Sequence, residues 1–155
     1  PDEINIIEKG NNYGWPLCYG KNIHDTDFDS SAQDPCTDKT PSRIDLQAHS
    51  SALGLTFVPE EGCPEEYWND LIVAYHGSWN RTVQTGYKIV RFDVDASGKV
   101  KDVSDFITGW LAGPPAGGVK GRPVDLTFDG QGNLYISDDH TGMIYVVKPL
   151  SGQSN

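Results

Sequence analysis

Basic residues are scarce in this sequence: 12 Lys and Arg stand against 22 Asp and Glu, a formal net charge of −10. That balance argues against a nucleic-acid partner, whose phosphates demand a basic surface. Long apolar runs are missing too; none approaches the roughly 20 residues of a membrane helix, so no membrane insertion is expected. The start lacks the basic-then-apolar order of a signal peptide. It opens Pro1-Asp2-Glu3 without Met, which reads as a mature form, a fragment or a trimmed product. Cysteines number three and none sits at CxxC spacing, which disfavours a zinc site. Phosphate-cradling glycine loops are absent, so nucleotide cofactors are disfavoured. Ser78 in Gly77-Ser78-Trp79-Asn80 lacks the second glycine of a hydrolase elbow.

What is plentiful is turn chemistry. Seventeen Gly and ten Pro among 155 residues, with 37% apolar residues, suit many short strands joined by turns. The length is that of one ordinary domain with a real core. Ile4-Asn5-Ile6-Ile7 reads as a short strand. Residues 20–43 are polar, with Asp25, Asp27, Asp29, Asp34 and Asp38 scattered through them. They miss the EF-hand spacing, so a solvated loop is favoured over a calcium loop. Cys18 and Cys36 flank most of this segment. A disulfide between them would stabilise by about 3 kcal/mol and favour an oxidising compartment; three reduced thiols is the alternative. Cys63 is the odd one out, suited to a buried free thiol.

From residue 48 the sequence repeats. Gly54-Leu55-Thr56-Phe57-Val58-Pro59 answers to Val124-Asp125-Leu126-Thr127-Phe128-Asp129. Asn69-Asp70-Leu71-Ile72-Val73-Ala74 answers to Gly132-Asn133-Leu134-Tyr135-Ile136-Ser137, and Gly86-Tyr87-Lys88-Ile89-Val90-Arg91 to Gly142-Met143-Ile144-Tyr145-Val146-Val147. A fourth strand is expected over 100–107, with a loop over 110–121 after it. Units of about four short strands recurring every roughly 55 to 70 residues predict an all-β fold of antiparallel β-propeller blades. A β-sandwich is the alternative. The expected division is a partial blade plus acidic loop over 1–47, one blade over 48–108 and a second, incomplete blade over 109–150. Propellers close with roughly four to eight blades, so two blades and part of a third are expected to be completed by further polypeptide or by a homo-oligomer partner.

The chemistry concentrates in His76-Gly77-Ser78-Trp79-Asn80-Arg81, set in the turn between two strand-like runs. Ordinary hairpin loops use Gly, Asn, Asp and Pro. This one carries side chains that recognise planar, oxygen-rich ligands. His49 and Arg122 each precede an innermost strand, so in blade geometry they and His76 converge on one channel mouth. Arg offers bidentate pairing to a carboxylate and Trp a stacking face. A structural reading stands beside each: a hydrogen-bonded His at a strand end, Trp79 packed between blades, Arg122 paired with Asp125 or another acid.

At these residues the chain resembles the soluble quinoprotein glucose and sorbosone dehydrogenase family. The resemblance runs through Asp2-Glu3-Ile4-Asn5-Ile6-Ile7, Gly10-Asn11-Asn12-Tyr13-Gly14-Trp15-Pro16, Ala48-His49-Ser50-Ser51-Ala52-Leu53-Gly54-Leu55, His76 to Arg81, Gly86-Tyr87-Lys88, Gly121-Arg122-Pro123-Val124-Asp125 and Leu134-Tyr135-Ile136-Ser137-Asp138-Asp139. It is nearest to the sorbosone or pyranose dehydrogenase type. It implies a six-bladed propeller, of which this chain would be about the C-terminal half with the upstream blades missing. The implied propeller holds pyrroloquinoline quinone (PQQ) and calcium, works in the periplasm or outside the cell, and passes hydride from a sugar to the quinone. A separate electron acceptor then takes the electrons.

Carried over by residue, it implies Arg122 as a partner of a quinone carboxylate. A second Arg found two positions later in one branch is Val124 here. It implies His76 near a cofactor-contacting position and His49 as a weaker candidate, with Trp79, Asn80 and Arg81 at the pocket rim. Glu3 falls where a structural calcium ligand lies. The family's catalytic base lies upstream of the matching part, so no catalytic residue is expected here and the isolated chain should be inactive. From a different class, a non-catalytic propeller module for carbohydrate binding or interaction would self-assemble from copies. A calcium-stabilised lactonase-type propeller is a further alternative.

Overall fold

A computed structural model describes residues 1–113 and 118–149. The part of the expected 110–121 loop at 114–117, and residue 150 of the expected second blade, lie outside the described residues. The chain divides into two compact units, Pro1–Ser50 and a second from Ser51 onward.

The first unit has little regular structure. Strand β1 (Asp2–Ile4) pairs antiparallel with β4 (Ile44–Leu46), and β2 (Cys18–Tyr19) with β3 (Ile23–His24). The strand expected over Ile4 to Ile7 is therefore displaced toward the start of the chain. Ile6 and Ile7 are exposed, and the Ile6 carbonyl instead accepts the Tyr13 hydroxyl at 2.7 Å. With so few apolar residues to bury, the polar segment is held by covalent and polar ties. Cys18 and Cys36 form a disulfide, which closes a loop of a size that stabilises by about 3 kcal/mol. Lys21 donates to the carbonyls of Ser42 and Arg43, and Asn22 to that of Lys39. Asp25 and Asp29 fold their carboxylates back onto nearby backbone N–H groups as turn formers do.

The second unit is regular. Strands β5 (Ala52–Phe57), β6 (Leu71–Tyr75), β7 (Lys88–Val94) and β8 (Val100–Ile107) form a four-stranded antiparallel meander. A short pair follows, β9 (Leu111–Ala112) with β10 (Gly118–Val119). Strands β11 (Pro123–Phe128), β12 (Leu134–Asp138) and β13 (Met143–Val147) then make a three-stranded meander. The only helical piece among the described residues is a 3-10 turn, Glu65–Tyr67. No helix among the described residues is long and apolar enough to cross a membrane. The all-β, antiparallel expectation holds, while the sheets do not close on themselves.

The sequence repeat is a structural repeat, but its first and third strands correspond one position away from the expected alignment. Leu55, Thr56 and Phe57 match Leu126, Thr127 and Phe128, and Ile89 matches Ile144, because each faces the equivalent residue of the middle strand. In both sheets the first strand meets the second antiparallel and the register slips at the same place, between Ala52 and Leu55 in one and between Pro123 and Leu126 in the other. Apolar side chains from both sheets share one core: Ile72, Ala74, Tyr87 and Ile89 from the first, Leu126, Leu134 and Ile136 from the second, with Val58 and Trp110 between. The sheets differ at their outer edge. Strand β7 is covered by β8, whereas β13 has no further strand among the described residues and exposes Met143, Ile144, Val146 and Val147.

Between the sheets, two turns meet backbone to backbone. Gly62 and Gly132 both have φ near +80° (76° and 79°), and a Cβ on either would fall on the other turn's backbone. Glycine serves there twice over, for the left-handed conformation and for the close approach. Substituting Gly62→Ala is expected to destabilise the second unit by about 2 kcal/mol or more, seen as a lower midpoint in urea followed by tryptophan fluorescence.

Candidate functional site

The loop after β6 is built from buried backbone outward. Strand β6 is Leu-Ile-Val-Ala-Tyr, apolar at every position and buried throughout, as its sequence predicts. Its end is pinned where the His76 N–H donates to the Ser51 carbonyl at 3.0 Å. Gly77 then turns with φ 106°, and the Tyr87 ring occupies the space where a side chain would stand. Ser78 closes the neck of the loop. Its N–H donates to the Thr85 carbonyl at 2.9 Å, and its Oγ accepts the Thr85 N–H at 3.1 Å. Residues 79–84, held beyond that neck, are all exposed, and Trp79 is 85% exposed.

Arg122 reaches this neck from the start of β11. Its Nη1 donates to the Gly77 carbonyl at 2.8 Å, and its Nη2 to the Ser78 carbonyl and the Tyr87 hydroxyl, each at 3.1 Å. The guanidinium carbon lies 4.9 Å from the centroid of the Tyr87 ring, in cation–π range. Tyr87 in turn donates its hydroxyl to the Ser78 carbonyl. The sequence reading offered Asp125 as an acidic partner for Arg122. Asp125 instead caps the Leu126 N–H with its own carboxylate, at 2.9 Å.

Asp138 holds Arg122 in place from behind. Its carboxylate is buried and accepts the backbone N–H groups of Arg122, His140 and Thr141 at 3.0 to 3.1 Å, and the Tyr145 hydroxyl at 3.2 Å. Burial alone would push its pKa up. The N–H groups of Arg122 and Thr141, with the Thr141 and Tyr145 side chains, outweigh that and hold it below the ordinary carboxylate range. Next to it, the Asp139 carboxylate sits 2.9 Å from His76 Nε2, tying the end of β6 to the turn before β13.

The predicted residues are therefore distributed unevenly. Arg122, His76 and the neck of the Trp79-Asn80-Arg81 loop share one constellation in the second unit. Trp79 is not packed against this unit's core, and His76 is a hydrogen-bonded residue at a strand end. His49 belongs to the first unit, in the left-handed conformation with φ 63°; its N–H faces Asp2 at 3.3 Å, and it lines an open cavity with Trp15, Tyr19, Asp25 and Asp27. Glu3 spends both carboxylate oxygens on protein donors, Asn5 Nδ2 at 2.8 Å and the Gly20 N–H at 2.5 Å. Among the described residues no three His, Cys, Asp or Glu side chains are grouped to hold a metal ion. Tyr87, Asp138 and Asp139 were not singled out as site residues. A tyrosine or aspartate at a strand end gives no signal in one sequence until the fold shows what it faces.

Residues 2–150 match the TrAA12-like family. The chain belongs to that family. An uncharacterized protein of Borreliella burgdorferi is 37% identical over 149 residues, covering 95% of this chain and 38% of its own length. A pyrroloquinoline quinone-dependent pyranose dehydrogenase of Coprinopsis cinerea is 30% identical over 166 residues, covering 90% of this chain and 23% of the enzyme. Among solved structures, the calcium form of a Trichoderma reesei enzyme of carbohydrate-active family AA12 matches with a TM-score of 0.70 and 27% identity, over 88% of this chain and 38% of that one. The holo form of the PQQ domain of the Coprinopsis cinerea pyranose dehydrogenase matches with a TM-score of 0.62 and 26% identity, over 88% and 40%. This TrAA12-like chain spans well under half the length of each of these relatives.

The depressed pKa of Asp138 has a signed consequence. A carboxylate whose folded pKa lies below its unfolded value near 3.8 contributes stability above that value and loses it as pH falls through the folded pKa. Asp138→Asn is therefore expected to lower stability at pH 7. It is also expected to flatten the loss of stability below about pH 4, measured as urea midpoints across pH 2 to 6.

Proposed function

We propose that this TrAA12-like chain is the C-terminal portion of a PQQ-dependent sugar dehydrogenase of the pyranose- or sorbosone-oxidising kind. The observation that carries the reading is the family match across residues 2–150, together with relatives named for PQQ-dependent pyranose oxidation. In this reading the two meanders are propeller blades, one complete and one lacking its outermost strand, with 1–47 as a partial blade. The uncovered edge of β13 is where missing upstream blades, or a partner copy, would pair. The disulfide supports a periplasmic or extracellular setting.

The residues of the second unit suit a planar polycarboxylate. Trp79 offers an exposed face, and Arg81 and Arg122 offer positive charge in a protein of net charge −10. A guanidinium has five N–H donors, and three contacts are taken from Arg122, so it retains donors for a carboxylate. His76, tied to Asp139, would border the same ligand, and Asn80 would shape the rim. When bound, the quinone would supply the hydride-accepting chemistry for oxidation of a sugar carbon. The chain's own part is to bind and orient. Glu3 does not fit as the nucleus of a calcium site, since protein donors hold both its oxygens, so calcium is assigned to the rest of the enzyme.

In this reading the general base, the sugar pocket's remaining walls and the route to the electron acceptor belong to polypeptide outside this chain. The isolated 155-residue chain is accordingly expected to give no sugar-dependent dye reduction with added PQQ and calcium; turnover above background would sink this division of labour. A self-assembled, non-catalytic carbohydrate or interaction module is the second reading, favoured by the apolar edge of β13. Light scattering separates the two: a defined dimer or trimer supports self-assembly, and a monomer the enzyme portion.

A further inference from the structure

Arg122 is spent on the protein in a way that a plain carboxylate clamp is not. Its planar fork spans two successive carbonyls, those of Gly77 and Ser78, and takes in the Tyr87 hydroxyl. The same Ser78 carbonyl accepts the Tyr87 hydroxyl. The Tyr87 ring lies beneath the guanidinium and fills the space over Gly77. Tyr87 is 2% exposed and holds φ at 59°, a conformation costly for a large side chain and kept only where the surroundings impose it. Every element of this knot is buried or half-buried, and the segment it grips emerges as the exposed Trp79, Asn80 and Arg81.

We propose that Arg122 is a positioning residue and that Tyr87 is its working partner: together they lock the loop neck so that Trp79, Asn80 and Arg81 stand as a preorganised ligand platform. Rigid presentation cuts the ordering cost that a free loop meets on binding. Lysine cannot reproduce the lock, because a single ammonium does not bridge two carbonyls and a hydroxyl in one plane. The lock is a property of the chain itself. Only the identity of the ligand as a quinone rests on the function proposed above.

Two variants test it, Tyr87→Phe, which keeps the ring and removes the hydroxyl, and Arg122→Lys, which keeps the charge and removes the fork. With 5-fluorotryptophan in the chain, the four tryptophans report separately by fluorine NMR, Trp79 being assigned with Trp79→Phe. Each variant is expected to shift or narrow the Trp79 resonance while leaving that of buried Trp110 in place. Each should also speed amide exchange over residues 79–85 by on the order of tenfold. The double variant should add little to either single one, as residues of one network do.

PQQ affinity, measured by calorimetry on the same proteins, should fall in both single variants, and further in Arg122→Lys, which also loses the donors left for the ligand's carboxylate. The proposal is overturned if Tyr87→Phe leaves the Trp79 signal and loop exchange at wild-type values. It is equally overturned if the Trp110 resonance moves in step, or if the two substitutions multiply. Absence of PQQ binding by the unsubstituted chain would remove the quinone reading alone. The Trp79 and exchange measurements would still decide the lock.

Discussion

One buried carboxylate sets the geometry of the second unit. Asp138 collects N–H groups from the residue before β11 and from the turn after β12, and the hydroxyl of a β13 tyrosine. A charge taken out of water is tolerable only when donors surround it, and here they come from three successive parts of one sheet. Tyr145, fixed by that carboxylate, stands edge-on to Trp110 at 5.6 Å, which joins the shared core. Arg122, fixed through its backbone N–H, sends its side chain to the other sheet and grips the neck of the loop after β6. The polar hub and the apolar core thus fasten the same two meanders, one at the strand ends and one along the strand faces.

Much of this architecture was legible in the order of residues. Apolar runs and alternation place β6, β7, β8 and β12 close to where they lie, because strands declare themselves through burial of neighbouring side chains. The repeat was readable because equivalent strands carry equivalent patterns, but its exact register was not. The first and third strands correspond one residue away from the sequence alignment, and the shared register slip appears only in the ladders. The start of the chain was less legible. Ile4-Asn5-Ile6-Ile7 has a strand's composition, yet Tyr13 draws the Ile6 carbonyl away from any ladder.

The site was legible in part for a different reason. The sequence shows which side chains are unusual for a hairpin loop, so His76, Trp79 and Arg81 stand out. It does not show whether an arginine points outward to a ligand or inward to carbonyls. Arg122 turns inward, and the partners that decide this, Gly77, Ser78 and Tyr87, are 35 to 45 positions away. Likewise the aspartates at 138 and 139 are ordinary turn residues by sequence. Only the pairing of β11 with β12 and the approach of β6 give them partners. The named relatives supply the ligand class proposed for this geometry. The share of the relatives that the chain spans limits what it can carry of their reaction.

The two abutting glycines, Gly62 and Gly132, carry a meaning for descent as well as for packing. Each forbids a side chain on the other's behalf, so neither position is free to drift while its counterpart stays. A compensating change at one cannot rescue the other, because what each meets is main chain, which has nothing to trim. Such a pair diversifies only if both turns are rebuilt together. In an aligned set of descendants the two columns would stay silent or break in the same lineage, and that break would mark where the two meanders had changed their spacing.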